Sequence, residues 1–258
     1  MVRWVILLLA GFGALALGAE RAAPLADDAT AVDLRAAFTN WGLTQRFQGA
    51  RGTCSVFTLT GALEYALARQ RGQGAVLSVE FLNWASNAAT ANSSDGGFFS
   101  DLWAGFAAYG ICPETDWPYH RSFDPKLQPD TAVLQRAEAL RKTGLRLDWI
   151  KPWNVRTGLT DQQFQGLKRV LRQRWPVCGG FRWPRAERWA EGVLQMAPPD
   201  RVFDGHSVLL VGYRDESEQA GGGVFLVRNS GGGVHDGALS YEYVRAYMND
   251  AAWIGPAH

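Results

Sequence analysis

The spacing of apolar residues changes period about midway along the chain, and that change limits the fold more than any other feature. After Cys54 the residues Val56, Phe57, Leu59, Ala62, Leu63, Ala66 and Leu67 recur at helical spacing. This predicts a helix from residue 54 to about residue 70, stopped by Gly72 and Gly74. A short helix over 77–84 capped by Ser78 and another over 98–109 ending at Gly110 keep the same period, with a polar, glycine-rich loop at 93–97 between them. Residues 113–129 read as irregular, and a further helix is predicted over 161–174 with Leu167, Val170 and Leu171 inward. The continuous apolar runs 176–181, 207–213 and 224–228 then read as buried strands, the last two joined by the turn-rich stretch 214–223. Residues 20–45 read as an extended lead-in, because Pro24 breaks a continuous helix and the alternation at 32–35 is too short for a strand. A helical half followed by a strand-rich half predicts an α+β fold with its site in the cleft between the two.

The first residues are set apart from this pattern. Arg3 precedes the apolar run from Trp4 to Leu17, and the small residues Ala16, Gly18 and Ala19 follow. That order reads as a secretory signal peptide over 1–19, with an uncleaved anchor as the lesser alternative, because the run is shorter than the roughly 20 apolar residues of a spanning helix. The mature chain, 20–258, is therefore expected to be secreted or periplasmic, with no stable membrane span after cleavage. Lys plus Arg total 26 against 25 Asp plus Glu, a net charge of +1, which removes the electrostatic case for a nucleic-acid partner.

An oxidising destination makes the count of three cysteines informative, since an odd number leaves at least one thiol unpaired. Cys112 and Cys178 form a bridge or stay as two buried thiols, and the sequence leaves both open. Cys54 opens its helix, where unpaired backbone N–H groups favour a thiolate, and Gln48 lies six residues upstream as an amide donor. A cysteine nucleophile needs a base and a group to orient that base. Of the four histidines, His206 alone heads an apolar strand, and Asn229 ends the next. Neighbouring antiparallel strands would set the two side by side, with the asparagine amide accepting from one ring N–H so that the other nitrogen faces Cys54. His120, His235 and His258 lack that context.

These residues resemble, in the same order, the motifs of the papain and cathepsin family of cysteine peptidases, in its bacterial-type members. Gln48-Gly49 through Cys54 and Phe57 is similar to the nucleophile segment, and Asp95-Gly96-Gly97 to the substrate-binding glycine pair. Gly110-Ile111 through Trp117-Pro118-Tyr119 follows, then Gly205-His206 with Val211-Gly212-Tyr213, Asn229-Ser230, and Ser240-Tyr241-Glu242-Tyr243-Val244. His206 lies 152 residues after Cys54, a little beyond the family's roughly 130–150, and surface insertions account for the excess.

The resemblance implies a two-lobe papain-like fold, with a helical lobe at about 45–125 and an antiparallel β-rich lobe at about 126–258 around the cleft. It implies peptide-bond hydrolysis on peptide or protein substrates through a Cys54–His206–Asn229 thioester mechanism, with Gln48 holding the oxyanion and no cofactor or metal. Gly96, Gly97, Phe98, Phe99, Gly180, Asp204 and Ser207 would bind substrate. Phe98 and Phe99 would wall a pocket for apolar side chains, and Asp204 would admit a basic one.

Three departures mark this chain: Ser55 replaces an aromatic residue after the nucleophile, Arg51 replaces a disulfide cysteine, and Gly231 replaces a tryptophan that shields the histidine–asparagine hydrogen bond. The stretch of about 35 residues before Cys54 is also too short for the family's long inhibitory propeptide. These departures define an alternative, a catalytically weak or inactive relative that binds a peptide or protein in the cleft.

Overall fold

In the computed structural model, which describes residues 24–231 and 236–257 with the side chain of Asp204 excepted, the two periodicities separate into helices and one large sheet. The expected signal peptide over 1–19, His235 and His258 lie outside the described residues. The lead-in is more ordered than its sequence implies. Ala31–Asp33 forms strand β1 and Arg35–Asn40 forms helix α1. A three-residue strand carries too little pattern to be read, and here it is made by its partner strand rather than by its own sequence.

Helix α2, Cys54–Arg71, ends at Gly72 with φ 70°, where the Gly72 N–H closes on the Ala68 carbonyl. It is buried on nearly all sides, as befits a central helix. Helix α3, Val79–Thr90, starts where the Ser78 hydroxyl accepts from the Phe81 N–H. It runs longer than its apolar pattern alone predicts. Helix α4, Phe99–Tyr109, stops at Gly110 with φ 76°. Gly105 lets α4 lie against α3, because a Cβ there would come within 2.7 Å of the Ser86 backbone. Two elements absent from the sequence reading follow: helix α5, Thr131–Glu138, capped by Asp130, and strand β2, Leu145–Lys151. Helix α6, Asp161–Arg172, opens with a capping box between Thr160 and Gln163.

The remaining strands are β3 (Val177–Pro184), the short β4 (Trp189–Ala190) and β5 (Val193–Leu194), β6 (Val202–Asp215), β7 (Gly223–Arg228) and β8 (Asp236–Ser240). Helix α7, Tyr241–Tyr247, and strand β9, Met248–Pro256, complete the described chain. The sheet order is β2-β9-β3-β6-β7-β8-β5-β4, with β1 added along β6. All pairings are antiparallel except β5 with β8. Helix α2 lies on this sheet, with Leu59, Leu63, Val208 and Leu210 fully buried in one core. The fold is α+β, as the change of period requires.

All three cysteines are free and buried. Cys112 packs with Phe81, Trp117 and Val133 in a smaller cluster, and Cys178 sits in the main core with its thiol toward the Thr58 carbonyl at 3.8 Å. Of the two open readings, the pair of buried thiols is the one realised. No helix among the described residues is long and apolar enough to cross a membrane.

Candidate active site

Cys54 is the first residue of α2, and its thiol donates to the Gly205 carbonyl at 3.6 Å. The loop before it is held from several sides. The Gln48 N–H donates to the Ser230 carbonyl, the Gln48 side-chain amide donates to the Arg51 carbonyl at 2.8 Å, and its oxygen accepts from the Ser230 hydroxyl at 2.9 Å. Tyr119 donates its phenol proton to the Gln48 carbonyl at 2.9 Å. The glutamine amide is thus fixed beside the nucleophile's loop, with its second N–H unaccounted for by these contacts.

His206 and Asn229 stand side by side, His206 as the fifth residue of β6, which begins earlier than the strand start read from the sequence, and Asn229 just after the end of β7. His206 Nε2 lies 2.9 Å from Asn229 Oδ1, which also accepts from the Gly231 N–H at 3.1 Å. An acceptor at that position makes Nε2 the protonated nitrogen and leaves Nδ1 with its lone pair. Asn229 is itself braced, because the Gln45 side chain donates to its carbonyl and Arg228 donates to Gln45.

Burial pushes the Cys54 thiol above its ordinary range, although N–H groups of Ser207 and Ser55 favour its thiolate. The start of a helix was expected to tip the balance toward thiolate, and for the thiol considered alone desolvation outweighs it. Burial likewise pushes the His206 imidazole below its ordinary range, opposed by the Asn229 hydrogen bond and the charge of Glu187. His120 lies elsewhere, its backbone N–H bonded to Glu80.

Ser55 has a use that its sequence position conceals. Its hydroxyl accepts from the Gly97 N–H at 3.3 Å, tying the glycine pair to the first turn of α2. Gly96 has φ 103° and donates to Asn83 at 2.9 Å. Arg51 makes the stronger tie. Its guanidinium donates to Asp95 at 2.8 Å, to Glu80 at 2.5 Å and to the His120 carbonyl at 2.8 Å, and it lies over the Tyr119 ring. Arg51 and Glu80 side chains are 3% and 5% exposed, so this ion cluster is interior.

A cavity of about 280 Å³ is lined by Cys54, His206, Gly96, Gly97, Gly180 and Ser207, which the sequence had grouped. Phe98 is its exposed aromatic wall, edge-on to Trp153 at 5.5 Å. Phe99 borders the cavity but is 1% exposed and belongs to the core, so only one of the two phenylalanines offers its ring. Asp204 contributes its backbone to β6, and its side chain lies outside what is described. Trp153, Asn249 and Asp250 also line the cavity. The sequence reading missed these three because they come from an irregular segment and from β9, joined to the site by tertiary contacts alone. A Cβ on Gly180 would strike the Asp250 carboxylate, which places that carboxylate against the cavity. Nearby Lys151 is 2% exposed and donates to the Asn154 and Asn249 carbonyls. Burial lowers its pKa, opposed by Asp250.

Comparison with known proteins agrees with this arrangement. The papain family cysteine protease description matches residues 29–249. Xylellain, a cysteine protease from Xylella fastidiosa, superposes with a TM-score of 0.69 at 22% identity over 89% of this chain and 87% of its own. Digestive procathepsin L 3 of Tenebrio molitor gives 0.60 at 20% identity over 90% and 73%. The cysteine protease and lectin-like domains of Cwp84, a surface layer associated protein of Clostridium difficile, give 0.63 at 19% over 92% and 53%. A search of curated proteins finds no match.

Proposed function

This chain belongs to the papain family of cysteine proteases, and from that premise we propose that Cys54, His206, Asn229 and Gln48 hydrolyse peptide bonds through a thioester. The observation that carries the reading is the 2.9 Å contact between His206 Nε2 and Asn229 Oδ1, which leaves Nδ1 to serve the thiol. The Cys54 proton passes to Nδ1, the sulfur attacks the peptide carbonyl, and the imidazolium returns the proton to the leaving amine. Water then attacks the thioester with His206 as base. The backbone N–H of Cys54 and the Gln48 amide hold the oxyanion, each donor typically worth about 2.7–4 kcal/mol. Asn229 keeps His206 in the productive tautomer. Helical and β-rich lobes at about 45–125 and 126–258 face each other across the cleft, and the apolar leader supports an extracytoplasmic enzyme.

Burial disfavours each charge singly, so the ion pair exists only because thiolate and imidazolium offset one another. Limiting iodoacetamide near pH 6 tests this. Alkylation should fall on Cys54, while Cys112, pushed up to about 12 by burial, and the still more buried Cys178 stay unmodified. In His206→Ala only the neighbouring N–H groups of Ser207 and Ser55 oppose the larger desolvation of Cys54, so its thiolate fraction at pH 6 drops below that of an ordinary thiol of pKa about 8.5. Wild-type alkylation no faster than such a thiol rejects the mechanism and favours the peptide-binding alternative.

The cavity suits the side chain of the second residue before the scissile bond. Phe98 and Trp153 favour apolar groups, and the Asp250 carboxylate, whose charge also acts on Lys151, adds a negative floor to the basic-group role proposed for Asp204. Peptides with Leu or Phe, and with Arg, at that position should be cleaved in preference to Gly or Asp. Asp250→Asn should lower the ratio of Arg to Leu cleavage by about tenfold, the size of one charge-assisted hydrogen bond. Equal kcat/KM across Gly, Leu and Asp peptides would remove this cavity from specificity.

A further inference from the structure

The ring of His206 has a neighbour that no motif announces. Trp183, near the end of β3, lies with its ring centroid 4.5 Å from that of the imidazole at an interplanar angle of 59°. The register explains how it arrives there. Phe181 pairs with His206, but the next pairs are Arg182 with Asp204 and Trp183 with Phe203, so Gly205 is an extra residue on β6. Gly205 adopts φ 118° to make this bulge, and a bulge re-aims the side chains beside it. Trp183 shares the face of Phe181 two residues earlier, the face that also carries His206.

The indole is anchored on its far side. It is 3% exposed and packs against Phe181 and Tyr243. Its Nε1 donates to Glu187 Oε1 at 2.8 Å, while Trp189 Nε1 donates to Glu187 Oε2, also at 2.8 Å. One carboxylate therefore holds two indoles, and the first of them rests on the histidine. On the side of Asn229 lies Gly231, where an added Cβ would stand 3.2 Å from His206 Cε1.

We infer that Trp183, clamped by Glu187 and Trp189, is a positioning residue that fixes the plane of His206 and screens its hydrogen bond to Asn229 from water. A buried aromatic face leaves the imidazole one orientation and denies water a place from which to compete for Asn229 Oδ1. Glu187 has a second effect through its charge, which favours the protonated ring. Among the described side chains, the charged and titratable groups around His206 are Cys54 on α2, Glu187 after β3, and Asp95 and Asp250 in the cavity lining. Of these, Glu187 acts from behind the indole.

The inference rests on His206 being the base, and the experiment separates the two. Peptide hydrolysis and Cys54 alkylation are measured from pH 4 to 9 for wild type, Trp183→Ala, Trp183→Phe and Glu187→Gln, with folding followed by near-ultraviolet circular dichroism. Wild type lacking selective Cys54 alkylation defeats the catalytic reading itself. With wild type active, Trp183→Ala should lose about tenfold or more in kcat at little change in KM, since a misplaced catalytic group costs up to about 10²-fold. Trp183→Phe should recover most of that loss, and Glu187→Gln should move the limb set by His206 to lower pH. Should Trp183→Ala fail to fold, the shift of the His206 limb in Glu187→Gln decides the matter. Wild-type kcat and pH limbs in the folded variants overturn the inference.

Discussion

Arg51→Met should destabilise the protein by about 3–5 kcal/mol, the range for removing one partner from a buried ion pair. The guanidinium faces Glu80 at 2.5 Å and Asp95 at 2.8 Å, with their side chains 5% and 20% exposed. Methionine replaces the apolar stem and none of the charge, so Glu80 keeps only the His120 N–H at 3.1 Å, and Asp95 the Asn83 amide at 3.4 Å. For a chain of this size each kcal/mol moves the melting midpoint by about 2–4 °C, so a fall on the order of 10 °C is the result to look for. Adding Glu80→Gln to Arg51→Met should return part of it, because the amide carries no charge to strand. A loss below about 1 kcal/mol would mean that the cluster behaves like a surface pair and does not hold the loops together. Activity should fall with stability, because Arg51 joins the nucleophile's loop to the segment that carries Gly96 and Gly97.

Cys54→Ala should abolish peptide hydrolysis, with kcat/KM down by about 10⁴-fold or more and the fold intact. Nucleophile and base act as one unit, and in comparable hydrolases removing either costs up to about 10⁶-fold. The thiol is small and buried, with polar contacts to the Gly205 carbonyl at 3.6 Å and to the Ser207 and Ser55 N–H groups, so alanine removes little packing. His206→Ala should cost nearly as much. The double variant should be no slower than either single one, since the second change removes a partner already idle. Residual hydrolysis within about tenfold of wild type in either single variant would place the chemistry elsewhere.

What could be read from the sequence was what local rules govern. The start of α3 at Ser78 and the ends of α2 and α4 at Gly72 and Gly110 follow from capping and glycine conformations that act within one turn. Cys54 and Asn229 were legible because each stands at the end of a regular element, and His206 because it stands at the start of the apolar part of β6. Strand β1 and the parallel contact of β5 with β8 were not, since each exists through a distant partner. The same holds for Asp250 and Trp183, which reach the site from β9 and β3. Phe98 and Phe99 show the limit at its sharpest: two identical neighbours at a helix start, of which one faces the cavity and the other the core.

The Arg51 cluster also changes what the scaffold asks of its surroundings. A cross-link made of charge, with all three thiols left free, needs no oxidant to form and no isomerase to correct. Reductants strong enough to keep a nucleophilic sulfur in working order leave this framework untouched, because there is no sulfur bridge for them to open. Among the cysteines, redox sensitivity is thereby confined to the thiol that lines the cavity, while Cys112 and Cys178 are sealed in apolar clusters. With Cys54 as the proposed nucleophile, its oxidation would stop hydrolysis and leave the architecture standing.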